Sequence, residues 1–440
     1  MNARLRSLGG VFVNYFAEPA RDSPVNLAFA RVVIAGYVVW KTVWMDWSTF
    51  LEVPFVVFDE YAFLVPYSHP YLLVGEKYLL LAAVLLFAVG YRLRLTGFLS
   101  GLLFGHLGLL WFSMNGSGGS TAIFIAVYFL FFFALFASQD ELSADGIRRT
   151  GRRSLDTLVA QLKHSGRTTF RADALKYSLL ALAVVYFGSA FDKLFPNLQR
   201  FQPEWVMPYN LARIVTVFHV TRDQAFPFSQ EVVNFPALVF VMAATVLALE
   251  AGLLLALLAK RTVTPFIVGL AGFKFSSIVL LGIFFGDAVV FFMLFFAWDT
   301  VYRLLASDRQ LDVVFDERCY FCARSLYPFK LLDVNDRMTF YSQTDVPKRY
   351  RNRQGVDFST AMYVFDEFGT PYRGYWAFRE LLRQSRVFTP VVWAMGTRPV
   401  AAVGERVYEY VAANRSRHFV CSVDLDTDGD TPVTSDNLDD

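Results

Sequence analysis

The segment FPALVFVMAATVLALEAGLLLALLA at residues 235–259 contains one charged residue, Glu250, in an almost entirely apolar run. A helix needs about 20 consecutive, mostly apolar residues to cross the hydrocarbon core of a bilayer, so this segment predicts a transmembrane helix. Comparable runs predict a polytopic α-helical membrane protein of about eight spans, the others lying near residues 26–45, 71–91, 94–114, 119–138, 174–194, 262–282 and 284–305.

The composition also favours a membrane protein, since 55% of the residues are hydrophobic and only 18% are charged. Soluble domains have about 45–50% apolar and about 25% charged residues. The formal net charge of +2 is too small to predict a nucleic-acid partner. The lipid bilayer is therefore the first partner that the sequence predicts.

Basic residues between the spans predict the orientation of the chain. Residues 139–173 carry seven Lys and Arg residues, whereas residues 46–70 carry none. Because basic residues are enriched on alternate connections, the positive-inside rule predicts an even number of spans. It also predicts that the segment 1–25 and the C-terminal domain are cytoplasmic, in the plasma membrane. The connection 139–173 is interpreted as topogenic charge, with an amphipathic surface helix as the alternative.

From residue 309 to about residue 420 the pattern is that of a soluble α/β domain, and an acidic tail at 421–440 is predicted to be disordered. The run LDVVFD at 311–316 predicts a strand, and RCYFCARS at 318–325 opens a segment with helical spacing. Further predicted elements are a hairpin across 361–371 and helices at 375–385 and 402–414.

A strand, a Cys-x-x-Cys motif and a helix in this order are typical of a thioredoxin-like redox site. The helix N-terminus and the nearby Arg318 and Arg324 would favour a thiolate at Cys319. Cys319 is expected to be the more exposed cysteine, with Cys322 as the resolving thiol one turn later. A structural zinc half-site completed by Cys421 and His418 is an alternative, as is an incidental cysteine pair. No metal site is predicted.

The run VFDERCYFC at 314–322 resembles the DCC family of thiol–disulfide oxidoreductases, as do residues 374–382 and 407–415. That family is named for an Asp-x-x-Cys-x-x-Cys motif, which Asp316, Cys319 and Cys322 match. The resemblance implies a thioredoxin-like fold over residues 311–420, and a protein dithiol or disulfide as the partner. Two positions depart from the family pattern: Glu317 replaces the usual glycine, and Arg318 replaces an acidic residue.

A second group of candidates lies in the predicted spans, where ionisable residues are functional suspects by default. Lys193 is near the outer end of the span 174–194, and Ser189 and Tyr186 share its helix face. A partly desolvated lysine can act as a base, and the alternative is a lysine that snorkels to the lipid headgroups. His106 is interpreted as a helix-packing residue, with a proton relay as the alternative. Glu250 is expected to pair with Lys274 or Arg31.

Residues 26–31, 186–194 and 249–254 resemble the HTTM domain, the membrane domain of vitamin K-dependent gamma-carboxylases and bacterial relatives. The resemblance spans about residues 20–305 and implies that Lys193 is a base in quinone-linked chemistry. A family histidine in the seventh span is replaced by Lys274. The large lumenal substrate-binding region of the carboxylases is missing, so glutamate carboxylation is not expected.

Together these patterns predict a membrane-bound thiol–disulfide oxidoreductase whose transmembrane domain binds a quinone or a lipid. No cofactor is certain from the sequence. The alternative is a non-enzymatic membrane partner in the maturation, export or immunity of a secreted peptide. A cytoplasmic position for Cys319 and Cys322 favours a catalytic or sensing role over a structural disulfide, because that compartment is reducing.

Overall fold

The computed structural model describes residues 15, 18–44, 70–115, 120–166, 169–195, 208–221, 228–259, 262–281, 286–351, 353, 355–358 and 360–414. The predicted acidic tail at 421–440 lies outside the described residues. Most of the predicted N-terminal segment 1–25 and most of the connection 46–70 also lie outside them.

The N-terminal region is helical, because long apolar runs satisfy their backbone hydrogen bonds internally only as helices. A two-stranded antiparallel pairing joins β1 (Arg21–Asp22) to β2 (Phe170–Arg171). The helices are α1 (Pro24–Trp44), α2 (Pro70–Val89), α3 (Leu93–Asn115), α4 (Ser120–Leu135), α5 (Ala144–Thr150), α6 (Leu155–Lys163), α7 (Asp173–Leu194), α8 (Pro208–Thr221), α9 (Phe228–Val233), α10 (Pro236–Leu258), α11 (Thr264–Leu281), α12 (Gly286–Met293) and α13 (Trp298–Leu305).

Among the described residues, five helices are long and apolar enough to cross a membrane, namely α1, α2, α3, α7 and α10. The helices α12 and α13 pass the same test only as a pair, and they are bent by 74°. The predicted span at 284–305 is therefore two helices and not one. The structure supports five to six candidate spans, and the count of eight stays a prediction.

Contacts with α1 fix the beginning of α13, which explains the bend. The indole ring of Trp298 stacks on Phe29, with the ring centroids 3.9 Å apart. The side-chain oxygen of Asn26 accepts a hydrogen bond of 2.7 Å from the backbone N–H of Asp299. This bond satisfies one of the N–H groups that every helix N-terminus leaves without an intrahelical partner. The turn before α13 is thus set by α1, which is far away in the sequence.

Small residues let α3 and α4 approach closely, as is common between membrane helices. A Cβ at Gly97 would lie 2.9 Å from the Cβ of Ala134, and one at Gly101 would lie 2.6 Å from the ring of Phe131. Larger side chains at these two positions would push the helices apart.

A buried ion pair ties α1 to the connection that follows α4. The guanidinium of Arg31 donates to the carboxylate of Asp140, and both side chains are almost fully buried. Arg31 also donates to the carbonyl oxygen of Ala88 at 3.1 Å. Arg31 had been a predicted partner of Glu250, and this prediction is wrong, since Asp140 lies beside Arg31 instead.

The C-terminal region contains a four-stranded sheet of β3 (Leu311–Phe315), β4 (Met338–Ser342), β5 (Tyr363–Phe365) and β6 (Pro371–Arg373). The strand order is β4-β3-β5-β6, with β3 parallel to β4 and antiparallel to β5, and with β5 antiparallel to β6. The helices of this region are α14 (Tyr320–Leu332), α15 (Lys348–Arg351), α16 (Tyr375–Leu382), α17 (Thr389–Met395) and α18 (Arg398–Asn414).

Most local elements of this domain match the sequence prediction. The predicted strand, the helix after the cysteines, the hairpin and the last helix appear as β3, α14, β5–β6 and α18. The strand β4 and the helices α15 and α17 were not predicted, and the run that forms β4 is only five residues long.

The short helix α6 packs on the C-terminal domain through its apolar face. Leu158 and Leu162 belong to the same buried cluster as Leu311, Val313 and Leu326. The basic connection between the fourth and fifth predicted spans therefore does contain an amphipathic helix, which was the less favoured alternative. Its apolar face covers a protein domain.

We expect Arg31→Met to destabilise the protein, because it removes the ion-pair partner of the buried Asp140 carboxyl. Removing one partner of a buried pair costs about 3–5 kcal/mol. The thermal midpoint of the detergent-solubilised chain, followed by intrinsic fluorescence, should fall well below that of Arg94→Met, a matched change at an exposed arginine. Adding Asp140→Leu to Arg31→Met should recover much of the loss. Equal midpoints for the two single variants would contradict the assignment.

Candidate functional site

The turn between β3 and α14 is held by Asp316, which is buried. Its carboxylate accepts a hydrogen bond of 3.0 Å from the backbone N–H of Arg318. Its carbonyl oxygen accepts one of 3.1 Å from the backbone N–H of Cys319. An aspartate that binds the backbone two residues on is a common way to build a tight turn. Asp316 therefore positions Cys319 at the beginning of the helix.

Cys319 is the N-cap of α14, and its sulfur accepts a hydrogen bond of 3.3 Å from the backbone N–H of Cys322. Both residues are buried thiols. A helix N-terminus favours negative charge because its first N–H groups point outward along the axis. The sequence pattern predicted this placement of the two cysteines, and the structure agrees with it.

The exposure of the two cysteines differs from the prediction. Cys319 is 1% exposed and Cys322 is 8% exposed, so the expectation that Cys319 is the more exposed of the two is wrong. The helix α6 contributes to the burial of Cys319, because Leu158 and Leu162 belong to the same buried hydrophobic cluster.

Polar contacts attach α6 and the turn before it to the redox turn. The hydroxyl of Tyr320 donates to the carbonyl oxygen of Thr150 at 3.1 Å. The ammonium of Lys163 lies 3.3 Å from the carboxylate of Glu317, which also accepts a 2.7 Å hydrogen bond from the hydroxyl of Thr344. The bond from Thr344 is the main reason that the pKa of Glu317 lies below its ordinary value. Glu317, which departs from the family motif, thus connects α6 to the motif.

Arg324 was predicted to support the thiolate, and the structure places its guanidinium against the turn between α5 and α6. A Cβ at Gly151 would lie 2.8 Å from the guanidinium carbon of Arg324.

The sequence did not predict a further contact, that of Arg153. Arg153 forms an ion pair of 2.8 Å with Glu141 and lies over the ring of Tyr327. In the sequence, this contact was indicated only by the basic residues of the connection 139–173, which are interpreted there as topogenic charge.

The second group of predicted residues meets at the end of α7. The ammonium of Lys193 donates a hydrogen bond of 2.9 Å to the hydroxyl of Ser189 and a second bond to the carboxylate of Glu250. Glu250 lies on α10 and is 1% exposed. Lys193 is therefore a partner of Glu250. Lys274, which the sequence predicts as a partner of Glu250, also interacts with it electrostatically.

Lys274 and Tyr186 also belong to this cluster. The ammonium of Lys274 lies 5.6 Å from the centroid of the Tyr186 ring, which is a cation–π arrangement. Lys274 also interacts electrostatically with Glu250 and Lys193. The structure thus brings together predicted residues from α7, α10 and α11.

A largely apolar cavity of about 430 Å³ lies beside this cluster. Lys193 is the charged side chain among the described residues that line it, and Ser276 and Ser277 add hydroxyl groups. Its apolar wall comes from α8, α10 and α11, and includes Ile214, Val215, Met242, Val246, Leu249 and Phe273.

The remaining candidate, His106, lies elsewhere. Its Nδ1 atom is 2.9 Å from the carboxylate of Glu76 on α2, and His106 does not line the cavity beside Lys193. This contact favours the helix-packing role. Within the described part of the chain, no group of three or more His, Cys, Asp or Glu residues could hold a metal ion.

Comparison with known proteins identifies one part of the chain. The family model described as DCC1-like thiol-disulfide oxidoreductase matches residues 313–421, which are 109 of the 440 residues. The match contains Asp316, Cys319 and Cys322. No curated protein and no solved structure matches the chain. The resemblance of the N-terminal region to the HTTM domain stays a prediction.

We expect Leu158→Ala to expose Cys319, because the substitution removes apolar contacts that hold α6 in place. Truncation of a buried leucine costs about 2–5 kcal/mol. Since about 1.4 kcal/mol corresponds to a factor of ten, alkylation of Cys319 by N-ethylmaleimide should accelerate at least about tenfold. Peptide mapping by mass spectrometry would separate Cys319 from Cys322. Ala160→Ser, on the exposed face of α6, is the control and should leave the rate unchanged. Equal rates in both variants would show that α6 is not the cover.

The contacts of Glu317 predict a pH dependence of stability. Its pKa in the folded protein lies below the ordinary value of 4.5, so its stabilising contribution is complete above pH 4.5. The contribution is lost as the pH falls through the lower folded value. Glu317→Gln should therefore lower the thermal midpoint at neutral pH, and this deficit should shrink towards zero as the pH falls below 4.5. Glu367→Gln, at an exposed carboxyl, is the control. A deficit that is constant over this range would exclude the ionic contact.

Proposed function

We propose that this chain is a membrane-embedded thiol–disulfide oxidoreductase, in which Cys319 and Cys322 exchange electrons with a protein dithiol or disulfide. The observation that carries the proposal is the position of Cys319 as the N-cap of α14, directly after β3, with its sulfur bound to the N–H of Cys322. The family match over residues 313–421 supports the same chemistry.

The sheet topology supports a thioredoxin-like fold for residues 311–414. The first strand of the sheet pairs in parallel with the second, after a helical crossover, and antiparallel with the third. The cysteines therefore lie at the carboxyl end of a central strand and at the N-terminus of the crossover helix. Ligands and reactive groups of open α/β sheets commonly lie at this edge.

The proposed reaction is thiol–disulfide exchange in two steps. The thiolate of one cysteine attacks a substrate disulfide, which forms a mixed disulfide and releases the first substrate thiolate. The other cysteine then attacks the mixed disulfide, which closes the Cys319–Cys322 bond and releases the second substrate thiolate. Because α6 buries Cys319, either α6 must move or the partner must approach on the side of Cys322.

The membrane part of the proposal rests on the apolar helices α1, α2, α3, α7 and α10. The distribution of basic residues supports a cytoplasmic location of both termini at the plasma membrane. In that orientation a cellular dithiol pool would keep Cys319 and Cys322 largely reduced, as a catalytic or sensing pair requires.

A redox titration tests this function. The full chain in detergent is equilibrated with mixtures of reduced and oxidised dithiothreitol, and the Cys319–Cys322 disulfide is measured by alkylation and mass spectrometry. We expect one reversible two-electron couple that Cys319→Ser and Cys322→Ser each abolish, while Cys421→Ser retains it. Absence of a couple would contradict the redox function and favour the alternative of a non-enzymatic membrane partner for a secreted peptide.

The cavity beside Lys193 supports a second function, the binding of a quinone or a lipid in the membrane domain. Its volume of about 430 Å³ falls within the range of ligand pockets, about 300–1,000 Å³. The ion pair with Glu250 favours Lys193 as a hydrogen-bond donor to a ligand oxygen, and it does not support the predicted role as a base. An HTTM-like domain with such a site would account for the resemblance at residues 186–194.

Binding of decylubiquinone to the chain in lipid nanodiscs tests this site. We expect the double variant Lys193→Met/Glu250→Gln to weaken binding roughly tenfold or more, since a hydrogen bond to a charged group contributes about 1.5–3 kcal/mol. The double change avoids an unpaired buried carboxylate. Lys41→Met is the control, at a lysine whose carboxylate partner is Asp287 on another helix. Unchanged affinity in the double variant would remove Lys193 from the site.

A further inference from the structure

A second large cavity lies at the end of α7 that is opposite Lys193. Its volume is about 550 Å³, and it shares no described lining residue with the cavity beside Lys193. Lys176, in the first turn of α7, lines it, whereas Lys193 lies in the last turn of the same helix. At 1.5 Å per residue, the two lysines are about 25 Å apart along the helix axis. The two cavities are therefore separate sites.

The helix ends around this cavity place it at the depth of lipid headgroups. Leu257 is the last residue but one of α10, and Val263 directly precedes α11. Residues 294–297, between α12 and α13, form another wall. Since α7 and α10 are each long enough to cross the hydrocarbon core, their ends lie where the hydrocarbon meets the headgroups. An amphiphile at this depth has its polar part at the rim of the cavity.

The floor of the cavity is apolar. Its described lining includes four buried aliphatic side chains, those of Leu175, Leu257, Ile267 and Leu294. These side chains offer no hydrogen-bonding group, so a hydrocarbon chain gains more than a polar solute from contact with them. The floor therefore fits the acyl chain of a lipid.

Basic side chains lie at the rim of the cavity. Arg21, on β1, is exposed, and its guanidinium forms no hydrogen bond or ion pair with the residues that the structure describes. The ammonium of Lys176 donates to the carbonyl oxygens of Tyr15 and Glu18. A guanidinium can bind two phosphate oxygens through parallel hydrogen bonds. Arg21 is thus available to a phosphate group.

An acidic side chain adjoins Arg21 at the same rim. Oδ1 of Asp22 accepts hydrogen bonds from the backbone N–H of Ser23 at 2.7 Å and from the amide of Asn26 at 2.8 Å. Within the described ranges, its other oxygen, Oδ2, accepts no hydrogen bond. Burial raises the pKa of this carboxyl above its ordinary value, and the neighbouring Asp299 adds to the effect. A cation beside Oδ2 would therefore be favourable.

We propose that this cavity binds one phospholipid whose headgroup carries a primary amine, as in phosphatidylethanolamine. Arg21 binds the phosphate, Oδ2 of Asp22 accepts a hydrogen bond from the ammonium, and the apolar floor holds an acyl chain. Adjacent charges of opposite sign complement a zwitterion. The headgroup of phosphatidylglycerol has no cation for Asp22, and the trimethylammonium group of phosphatidylcholine has no N–H to donate.

The bound lipid also contacts the link between two helices. Leu294 and Ala297 lie in the segment between α12 and α13, and Asp299 lies in the first turn of α13. The chain continues from α13 to the C-terminal domain. Occupancy of the cavity therefore stabilises the segment 294–299, and this effect can be measured without any substitution.

Lipid titration tests the headgroup. The delipidated full chain in detergent receives palmitoyl-oleoyl phosphatidylethanolamine, and bound lipid is counted by native mass spectrometry. We expect one site that binds the matched phosphatidylcholine and phosphatidylglycerol roughly tenfold more weakly, since one hydrogen bond between charged groups is lost. Asp22→Asn keeps the acceptor for Ser23 and Asn26, and it should remove this preference.

Further variants test the two parts of the cavity. Arg21→Met should weaken the binding of all three lipids roughly tenfold, because each has a phosphate. Leu179→Trp fills the floor and should also weaken all three. Arg148→Met is the control, at an exposed arginine of α5 that does not line the cavity.

Hydrogen–deuterium exchange of the unsubstituted chain locates the lipid. At a phosphatidylethanolamine concentration ten times the Kd, exchange in residues 294–299 should slow about tenfold. Exchange in residues 242–249, beside Lys193, should not change. Protection at 242–249 alone, or binding that Arg21→Met and Leu179→Trp leave unchanged, would overturn the site. Equal affinity for the three lipids in the unsubstituted chain would overturn the headgroup assignment.

Discussion

The constraint on which the structure depends is that a charge in an apolar interior needs a partner. Arg31 in α1 forms an ion pair with Asp140, and Lys193 in α7 forms an ion pair with Glu250 in α10. The first pair fixes the connection after α4, from which α5 and α6 continue towards the C-terminal domain. The second pair joins two apolar helices beside a cavity. Each pair thus connects distant segments of the chain, and the Lys193–Glu250 pair lies at the candidate site beside the cavity.

The path from the membrane helices to the dithiol is continuous in the structure. Asp140 adjoins Glu141, which pairs with Arg153, and Arg153 lies over Tyr327 on α14, the helix that carries Cys322. Near the other end of α6, Lys163 contacts Glu317 within the motif. These contacts join the helical N-terminal region to the sheet-containing C-terminal domain.

The two faces of the redox motif differ in chemistry. On one side the apolar residues of α6 pack in the cluster that contains Cys319, and on the other a small, mostly apolar cavity is lined by Cys322, Phe321 and Phe378. A buried nucleophile is protected from adventitious oxidation but is slow to react with large partners.

The sequence by itself determined the local elements: the apolar helices, the strand β3, the cysteines at the start of α14 and the hairpin β5–β6. These depend on periodicity and on short-range turn chemistry, which a single sequence contains. It also identified Lys193, Ser189 and Glu250 as residues of interest. Only the tertiary structure decided that Glu250 pairs with Lys193, that residues 284–305 form two helices, and that α6 buries Cys319. Those outcomes arise from contacts between segments far apart in the chain, and a residue pattern carries no information about which distant surface will cover it.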